Sequence, residues 1–201
     1  MSHYFEAPTG PERRRTIGVR LFDTEVELQT ADGVFSAGGL DPGTAVLLRA
    51  APAPSGEAAR RHLLDLGCGY GPIALALALA CPRAAIDAVD VNPRALALTR
   101  DNARALGVGD RVSAFLPDDV PDDRRYGEIW SNPPIRIGKT ALHELLLRWL
   151  PRLEPGGVAR LVVGRNLGAD SLREWLIDQG FPTVRSASSK GFRVLCVSPT
   201  G

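Results

Sequence analysis

The chain has 201 residues, 44% of them apolar, with 24 Lys and Arg against 23 Asp and Glu. That length allows one sizeable domain and a short extension. A near-zero net charge excludes a global field drawing the molecule to nucleic acid, so any basic face has to be local. Three cysteines (Cys68, Cys81 and Cys196) with no CxxC pair supply neither a disulfide framework nor a metal site. With no signal sequence and no apolar run of about 18 residues, a cytoplasmic location and no membrane partner are expected.

Residues 1–15 carry His3-Tyr4-Phe5 and then a Pro-, Gly- and Arg-rich piece, which is expected to be extended or disordered. From 16 to 30 apolar and polar residues alternate (Ile17, Val19, Leu21, then Val26, Leu28). That period of two predicts two short strands turning near Asp23-Thr24. The glycine-rich stretch from Gly33 to Thr44 is a loop, in which Asp41 can cap a helix with Pro42 at its first position, running to about residue 51. Residues 52–59 read as a surface connection. A buried strand over 62–66 then runs into Gly67-Cys68-Gly69-Tyr70-Gly71 and a helix over 73–81, apolar all round and therefore buried.

A second strand over 85–90 ends at Asp90. Asn92-Pro93 caps the following helix, which Gly107 ends. A strand over 112–116, an acidic Pro-rich loop over 117–123, a strand over 126–131 and a loop over 132–137 follow. The next helix has the clearest stripe in the chain, Leu142, Leu145, Leu146, Trp149 and Leu150. A strand over 157–163 precedes a helix opened by a capping box of Ser171 with Glu174 and ended by Gly180. Strands over 182–187 and 192–197 close the chain as a hairpin through Lys190-Gly191. Strands alternating with helices in this way predict an α/β fold, a doubly wound, mostly parallel sheet with an antiparallel edge strand.

In such sheets ligands sit beyond the carboxyl ends of the strands, where the glycine turn, Asp90, Asp118 and Asn132-Pro133-Pro134 all fall. A strand–glycine turn–helix brings backbone N–H groups up to a ligand with little side chain in the way. Pro72 stands where a dinucleotide fingerprint has its third glycine, which disfavours a dehydrogenase. Asp90 suits the two hydroxyls of a ribose, and Asp65 suits a ligand amino group. Cys68, between two glycines with no nearby His, suits a tight turn better than a nucleophile. Asn132-Pro133-Pro134 is the most specific feature. Its prolines remove two N–H donors. An Asn oxygen beside the Pro133 carbonyl offers two acceptors to an amino group with two hydrogens. Accepting both hydrogens of a nucleobase amine returns density to its nitrogen and aligns it with an electrophilic methyl.

These motifs, Asp65-Leu66-Gly67-Cys68-Gly69-Tyr70-Gly71, Asp90-Val91-Asn92-Pro93 with Asn102, and Asn132-Pro133-Pro134, resemble class I S-adenosylmethionine-dependent methyltransferases. More narrowly, Gly33-Val34-Phe35-Ser36, Leu40-Asp41-Pro42-Gly43-Thr44, Asn132-Pro133-Pro134-Ile135-Arg136 with Gly138-Lys139, and Gly191-Phe192-Arg193-Val194 are similar to the methyltransferase small-domain family. That family includes bacterial ribosomal RNA guanine-N2 methyltransferases. The resemblance implies a seven-stranded Rossmann-like methyltransferase sheet over 46–201, with 1–45 as an extension carrying the hairpin and a cofactor-side loop. It implies S-adenosylmethionine as cofactor, with Gly67, Cys68, Gly69 and Gly71 around its methionine part. Asp90 and Val91 would lie at the ribose and Asp118 near the adenine. Asn132 and Pro133 would orient a target amine, with ribosomal RNA or a ribosomal subunit as partner.

The well-known RNA-modifying members carry a second, degenerate domain copy at the N-terminus, so the chain resembles the single-domain branch. Many amine methyltransferases also place an aromatic after Asn-Pro-Pro to stack on the base. Here the residue is Ile135, which offers an apolar face instead. Phe35, Arg136 and Lys139 flank the site as substrate contacts, and Arg13 to Arg15, Arg185, Lys190 and Arg193 are candidates to extend a basic face. His3, His62 and His143 have no metal or triad spacing. The Asn-Pro-Pro pattern also serves adenine N6 and protein glutamine amide methylation, and a non-catalytic RNA- or ribosome-binding factor retaining the cofactor site is the alternative outside the enzymes.

Overall fold

The computed structural model describes residues 13–200. The expectations for His3, Tyr4 and Phe5 lie outside the described residues. β1 (Arg14–Leu21) and β2 (Thr24–Ala31) pair antiparallel as a two-stranded sheet, with Leu21 opposite Thr24. The turn between them places Phe22 at φ 49. Their alternation buries Val19, Leu21 and Leu28 on one face, as a half-buried hairpin requires.

The main sheet has seven strands in the order β5-β4-β3-β6-β7-β9-β8. β3 (His62–Leu66), β4 (Ala85–Val89), β5 (Val112–Phe115), β6 (Tyr126–Ser131) and β7 (Leu153–Gly164) run parallel. β9 (Phe192–Val197) is antiparallel to both β7 and β8 (Thr183–Ser189). The antiparallel strand is therefore not at the edge, as expected, but one position inside it. The reason is the closing hairpin: its second strand takes the free edge of β7 and its first strand is carried outward. Lys190 and Gly191, at φ 48 and 81, form the two-residue turn with both central residues left-handed that such hairpins favour.

Side chains alternate across the sheet into two cores. α1 (Pro42–Ala50), α2 (Pro72–Ala80), α3 (Pro93–Ala105) and the N-terminal hairpin pack on Leu63, Ile86, Trp130 and Val162. α4 (Lys139–Trp149) and α5 (Ala169–Asp178) pack on Leu64, Ile129, Leu161 and Leu195. α2 is buried through Ala78, as its all-round apolar sequence demands. On α4 the stripe resolves into Leu142, Leu146 and Trp149 inside.

Two local expectations are corrected. The Ser171–Glu174 capping box does not form, because α5 starts earlier, at Ala169, after a 3-10 turn over Arg165–Leu167 and a left-handed Gly168. β7 starts at Leu153 rather than 157, pairing with Tyr126 across an irregularity between Tyr126 and Glu128. A Cβ on Gly157 would lie 2.8 Å from the Gly127 carbonyl, a close approach that only glycine allows. The expected boundary after residue 45 falls inside α1, and the hairpin's inner face belongs to the same core as α2.

Candidate active site

From β3 the chain builds β4 and β5 on one side, then returns to build β6 and β7 on the other, so the strand order reverses between β3 and β6. A crevice opens at the carboxyl ends of such a switch point. At the end of β3, Gly67 and Cys68 both donate their N–H to the Val89 carbonyl, at 2.8 and 3.0 Å. The turn closes at Gly71, at φ 97, where a Cβ would stand 3.0 Å from the Thr99 side chain. The Thr99 hydroxyl donates to the Gly69 carbonyl at 3.0 Å, tying the turn to α3.

Asp65 lies beneath this turn, wholly buried. Its Oδ2 accepts the Ala74 N–H in the first turn of α2 at 2.8 Å, while Oδ1 has no partner among the described residues. Burial pushes its pKa up to about 8; the Ala74 hydrogen bond opposes the rise and the nearby Asp90 adds to it. Asp90 stands at the end of β4. It accepts the Gly69 N–H on Oδ2 and the Asn92 N–H on Oδ1, both at 2.9 Å. Burial raises its pKa, and the Asn92 and Gly69 N–H groups hold it down. Each oxygen keeps a lone pair, enough to accept from a diol. Val91 beside it and Leu116 at the end of β5 are exposed apolar side chains.

Asn132 follows β6. Its Nδ2 donates to Asp41 Oδ1 at 2.6 Å and to Thr44 Oγ1 at 3.1 Å. The Pro133 carbonyl accepts the Ile135 N–H at 2.8 Å, across Pro134 at φ −74 and ψ 74, the dihedrals of an inverse γ-turn. That bond aims the Pro133 carbonyl and leaves its second lone pair. Ile135, half-buried, and Arg136, exposed, sit in the 3-10 turn that follows, and Lys139 opens α4, exposed. The crevice is lined by Phe35, Asp41, Gly67, Gly69, Tyr70 and Asn132 among others. Over it lies the loop after β2. Asn92 Nδ2 holds this loop at the Gly33 carbonyl (2.9 Å), and the Tyr70 hydroxyl holds it at the Gly39 carbonyl (3.0 Å). Phe35 on this loop is 53% exposed.

Of the expected residues, Phe35, Gly67, Cys68, Gly69 and Asn132 line this crevice; Asp90 is tied to its glycine turn at Gly69, Asp65 and Pro133 are buried behind it, and the others are sorted differently. The Cys68 thiol is buried, 3.7 Å from Thr99 Oγ1, and burial raises its pKa well above the usual thiol value. Only the backbone of Cys68 remains for a ligand. Asp118 is exposed and paired with Arg148 of α4 at 2.8 Å. The basic face also divides. Arg14 pairs with Asp101, Arg15 with Asp32 and Arg185 with Asp170. Arg136, Lys139 and Lys190 are exposed, with no carboxylate within 4.0 Å among the described residues. His62 meets Arg124, and His143 stacks on Trp175 at 3.5 Å. Among the described residues no group of three or more His, Cys, Asp or Glu is placed to hold a metal, and no helix is long and apolar enough to cross a membrane.

The contacts of Asp41 and Thr44 with Asn132 are ones that spacing alone does not reveal. Asp41 is legible as a helix cap, but it meets Asn132 from 91 positions away. The donor set fits S-adenosylmethionine. A buried carboxyl oxygen without a partner suits its ammonium, a two-oxygen acceptor at a strand end suits its diol, and a turn of small residues leaves room for the methionine part.

The family model of the methyltransferase small domain matches residues 25–196. The chain is 32% identical over 177 residues to a Bacillus subtilis protein named uncharacterized protein YbxB, covering 87% of this chain and 86% of that one. It is 34% identical over 197 residues to the Pseudomonas aeruginosa ribosomal RNA small subunit methyltransferase C, covering 94% of this chain and 57% of the relative. A solved structure of the T. thermophilus 16S rRNA N2 methyltransferase RsmC, in complex with AdoMet and guanosine, superimposes with a TM-score of 0.77 at 25% identity. That match covers 96% of this chain and 53% of the other. The chain therefore spans little more than half the length of these two relatives.

Proposed function

We propose, for a chain that belongs to the methyltransferase small-domain family of S-adenosylmethionine-dependent methyltransferases, that the accepting atom is the exocyclic N2 amine of a guanine in ribosomal RNA. The observation that carries this reading is the pair of acceptors at the end of β6. Asn132 spends its two amide hydrogens on Asp41 and Thr44, which leaves its Oδ1 without a donor among the described residues. The Pro133 carbonyl beside it has a lone pair left. Two fixed acceptors select a group with two hydrogens, and a base amine is such a group. The guanosine held by the T. thermophilus neighbour supports guanine over the adenine N6 and glutamine amide alternatives.

S-adenosylmethionine, when bound, supplies an electrophilic sulfonium methyl. The chain's own part is to bind and to orient. Asp65 Oδ1, once its carboxyl has released its proton, would hold the ammonium, Asp90 would hold the ribose hydroxyls, and the backbone of Gly67, Cys68 and Gly69 would wrap the methionine part. Val91 provides an apolar surface beside the ribose. Asn132 Oδ1 and the Pro133 carbonyl accept the two amine hydrogens and raise electron density on nitrogen. No strong base is needed beforehand, because the amine loses its proton after the new bond has formed. Pro134 fixes the turn that aims both acceptors, Ile135 and Phe35 give the base apolar contact, and Arg136 and Lys139 meet phosphates. An RNA substrate on the ribosome places the chain in the cytoplasm.

The test is transfer of radiolabelled methyl to separated ribosomal subunits, naked ribosomal RNA and total protein from cells lacking the gene. Label in the RNA of one subunit, digesting to N2-methylguanosine, is the expected result. Label in protein, or in N6-methyladenosine, would replace the guanine reading, and cofactor binding with no label anywhere would favour a binding factor.

A further inference from the structure

The geometry points to Asp41, assisted by Thr44, as the residue that sets which end of the Asn132 amide faces the substrate. A carboxamide has two nearly isosteric ends, one a double donor and one an acceptor. The proposed chemistry works only with the acceptor end forward. A flipped Asn132 would present N–H groups to an amine that is itself a donor. Nothing in Asn132's own backbone decides between the two, so the decision has to come from its neighbours.

Asp41 decides it. Its Oδ1 accepts three N–H groups: Gly43 at 2.7 Å, Thr44 at 3.0 Å and Asn132 Nδ2 at 2.6 Å. The first two place the carboxylate rigidly at the N-terminus of α1. An oxygen that already accepts two backbone N–H groups is placed as an acceptor, so the nitrogen end of the amide faces it. Thr44 is buried, and its hydroxyl oxygen takes the second amide hydrogen at 3.1 Å. Both hydrogens are used on the α1 side, and Oδ1 is left as the acceptor. Asp41 touches no reacting atom in this arrangement; it acts through Asn132 as a positioning residue. The same carboxylate links the Asn-Pro-Pro turn to the segment that follows the loop over the crevice, so α1 and β6 are held in one register at the site.

This proposal rests on Asn132 being the amine acceptor, and the test separates the two. Serine at 41 still caps α1 but is too short to reach Asn132, whereas asparagine keeps an oxygen in the same place. Asp41→Ser is expected to lower kcat for methyl transfer to the accepting ribosomal subunit about 10- to 100-fold. Affinity for S-adenosylmethionine by calorimetry should stay within about threefold. Asp41→Asn should recover much of the loss. Asp41→Ser in an Asn132→Ala background should cost nothing further, because the two act through one group. In ¹⁵N spectra of the cofactor-free protein, the Asn132 side-chain amide, identified by its loss in Asn132→Ala, should move toward free-amide shifts in Asp41→Ser. Wild-type kcat in Asp41→Ser, full additivity with Asn132→Ala, or an unmoved Asn132 amide signal would each overturn the positioning role. Full activity in Asn132→Ala would instead remove the amine-acceptor reading on which it rests.

Discussion

Asp65 shows how far one buried residue can be shifted by the fold around it. Its carboxyl titrates near pH 8 in the folded chain against an ordinary 3.8. Between those values the folded protein keeps a proton that the unfolded chain has released. Its contribution to stability is therefore full below about pH 4, declines as pH rises, and levels off above about pH 8. Asp65→Asn keeps an acceptor for the Ala74 N–H and does not ionise. Denaturant midpoints of the two proteins should diverge in the variant's favour from about pH 5 to pH 8; a gap that ignores pH would mean that the carboxyl is not held protonated. Asn132 and Asp90 separate at the same scale. Asn132→Ala should lower kcat by about 100-fold or more with cofactor affinity nearly unchanged. Asp90→Ala should weaken cofactor binding by about 10- to 100-fold, since it removes hydrogen bonds to a charged group. Calorimetry beside the transfer assay checks the split, and matching profiles for the two variants would count against it.

At the scale of the element, α5 is the instructive case. Ser171-x-x-Glu174 reads as a capping box, yet Gly168 holds the cap position and Ser171 lies within the helix. The left-handed conformation of Gly168, after the turn over Arg165–Leu167, starts the helix one turn sooner. Ser171→Ala should accordingly change stability by less than about 0.5 kcal/mol, where loss of a true cap would cost about 1 kcal/mol. Thermal or urea denaturation distinguishes the two. Asn92 and Asp41, by contrast, cap α3 and α1 as their sequences indicate, with Pro93 and Pro42 at the first helical positions. Both also carry a second bond away from their own helix, to Gly33 and to Asn132 respectively.

For the whole molecule, the N-terminal hairpin is part of the core. Leu21 and Leu28 are 1% exposed, and Phe22 meets Trp130 edge-on with ring centres 5.9 Å apart. Asn102, buried on α3, completes the joint. Its Oδ1 accepts the Gln29 N–H at 2.7 Å, and its Nδ2 donates to the Gln29 carbonyl and the Tyr70 carbonyl at 2.9 and 3.0 Å. One side chain thus binds the hairpin, α3 and the glycine turn together. Leu28→Ala should cost about 2–5 kcal/mol of global stability, and a single cooperative transition should persist in calorimetry. A small cost, or a separate transition for the hairpin, would make the hairpin an appendage.

Much of this molecule follows from local sequence. Strand and helix alternation, the buried α2, the stripe of α4 and the turn of Gly67 to Gly71 are set by periodicity, proline and glycine, which act within a few residues. The convergence of the glycine turn, Asp90 and Asn132-Pro133 follows too, since parallel strands deliver their carboxyl ends to one edge. The Asp41–Asn132 bond, the pairing of Asp118 with Arg148 and the shared role of Asn102 depended on tertiary structure alone. Each joins residues tens of positions apart through side-chain hydrogen bonds, whose partners are chosen by how the elements pack. The order of the last three strands was likewise decided by packing, because a hairpin pattern states that two strands pair but not which of them meets β7.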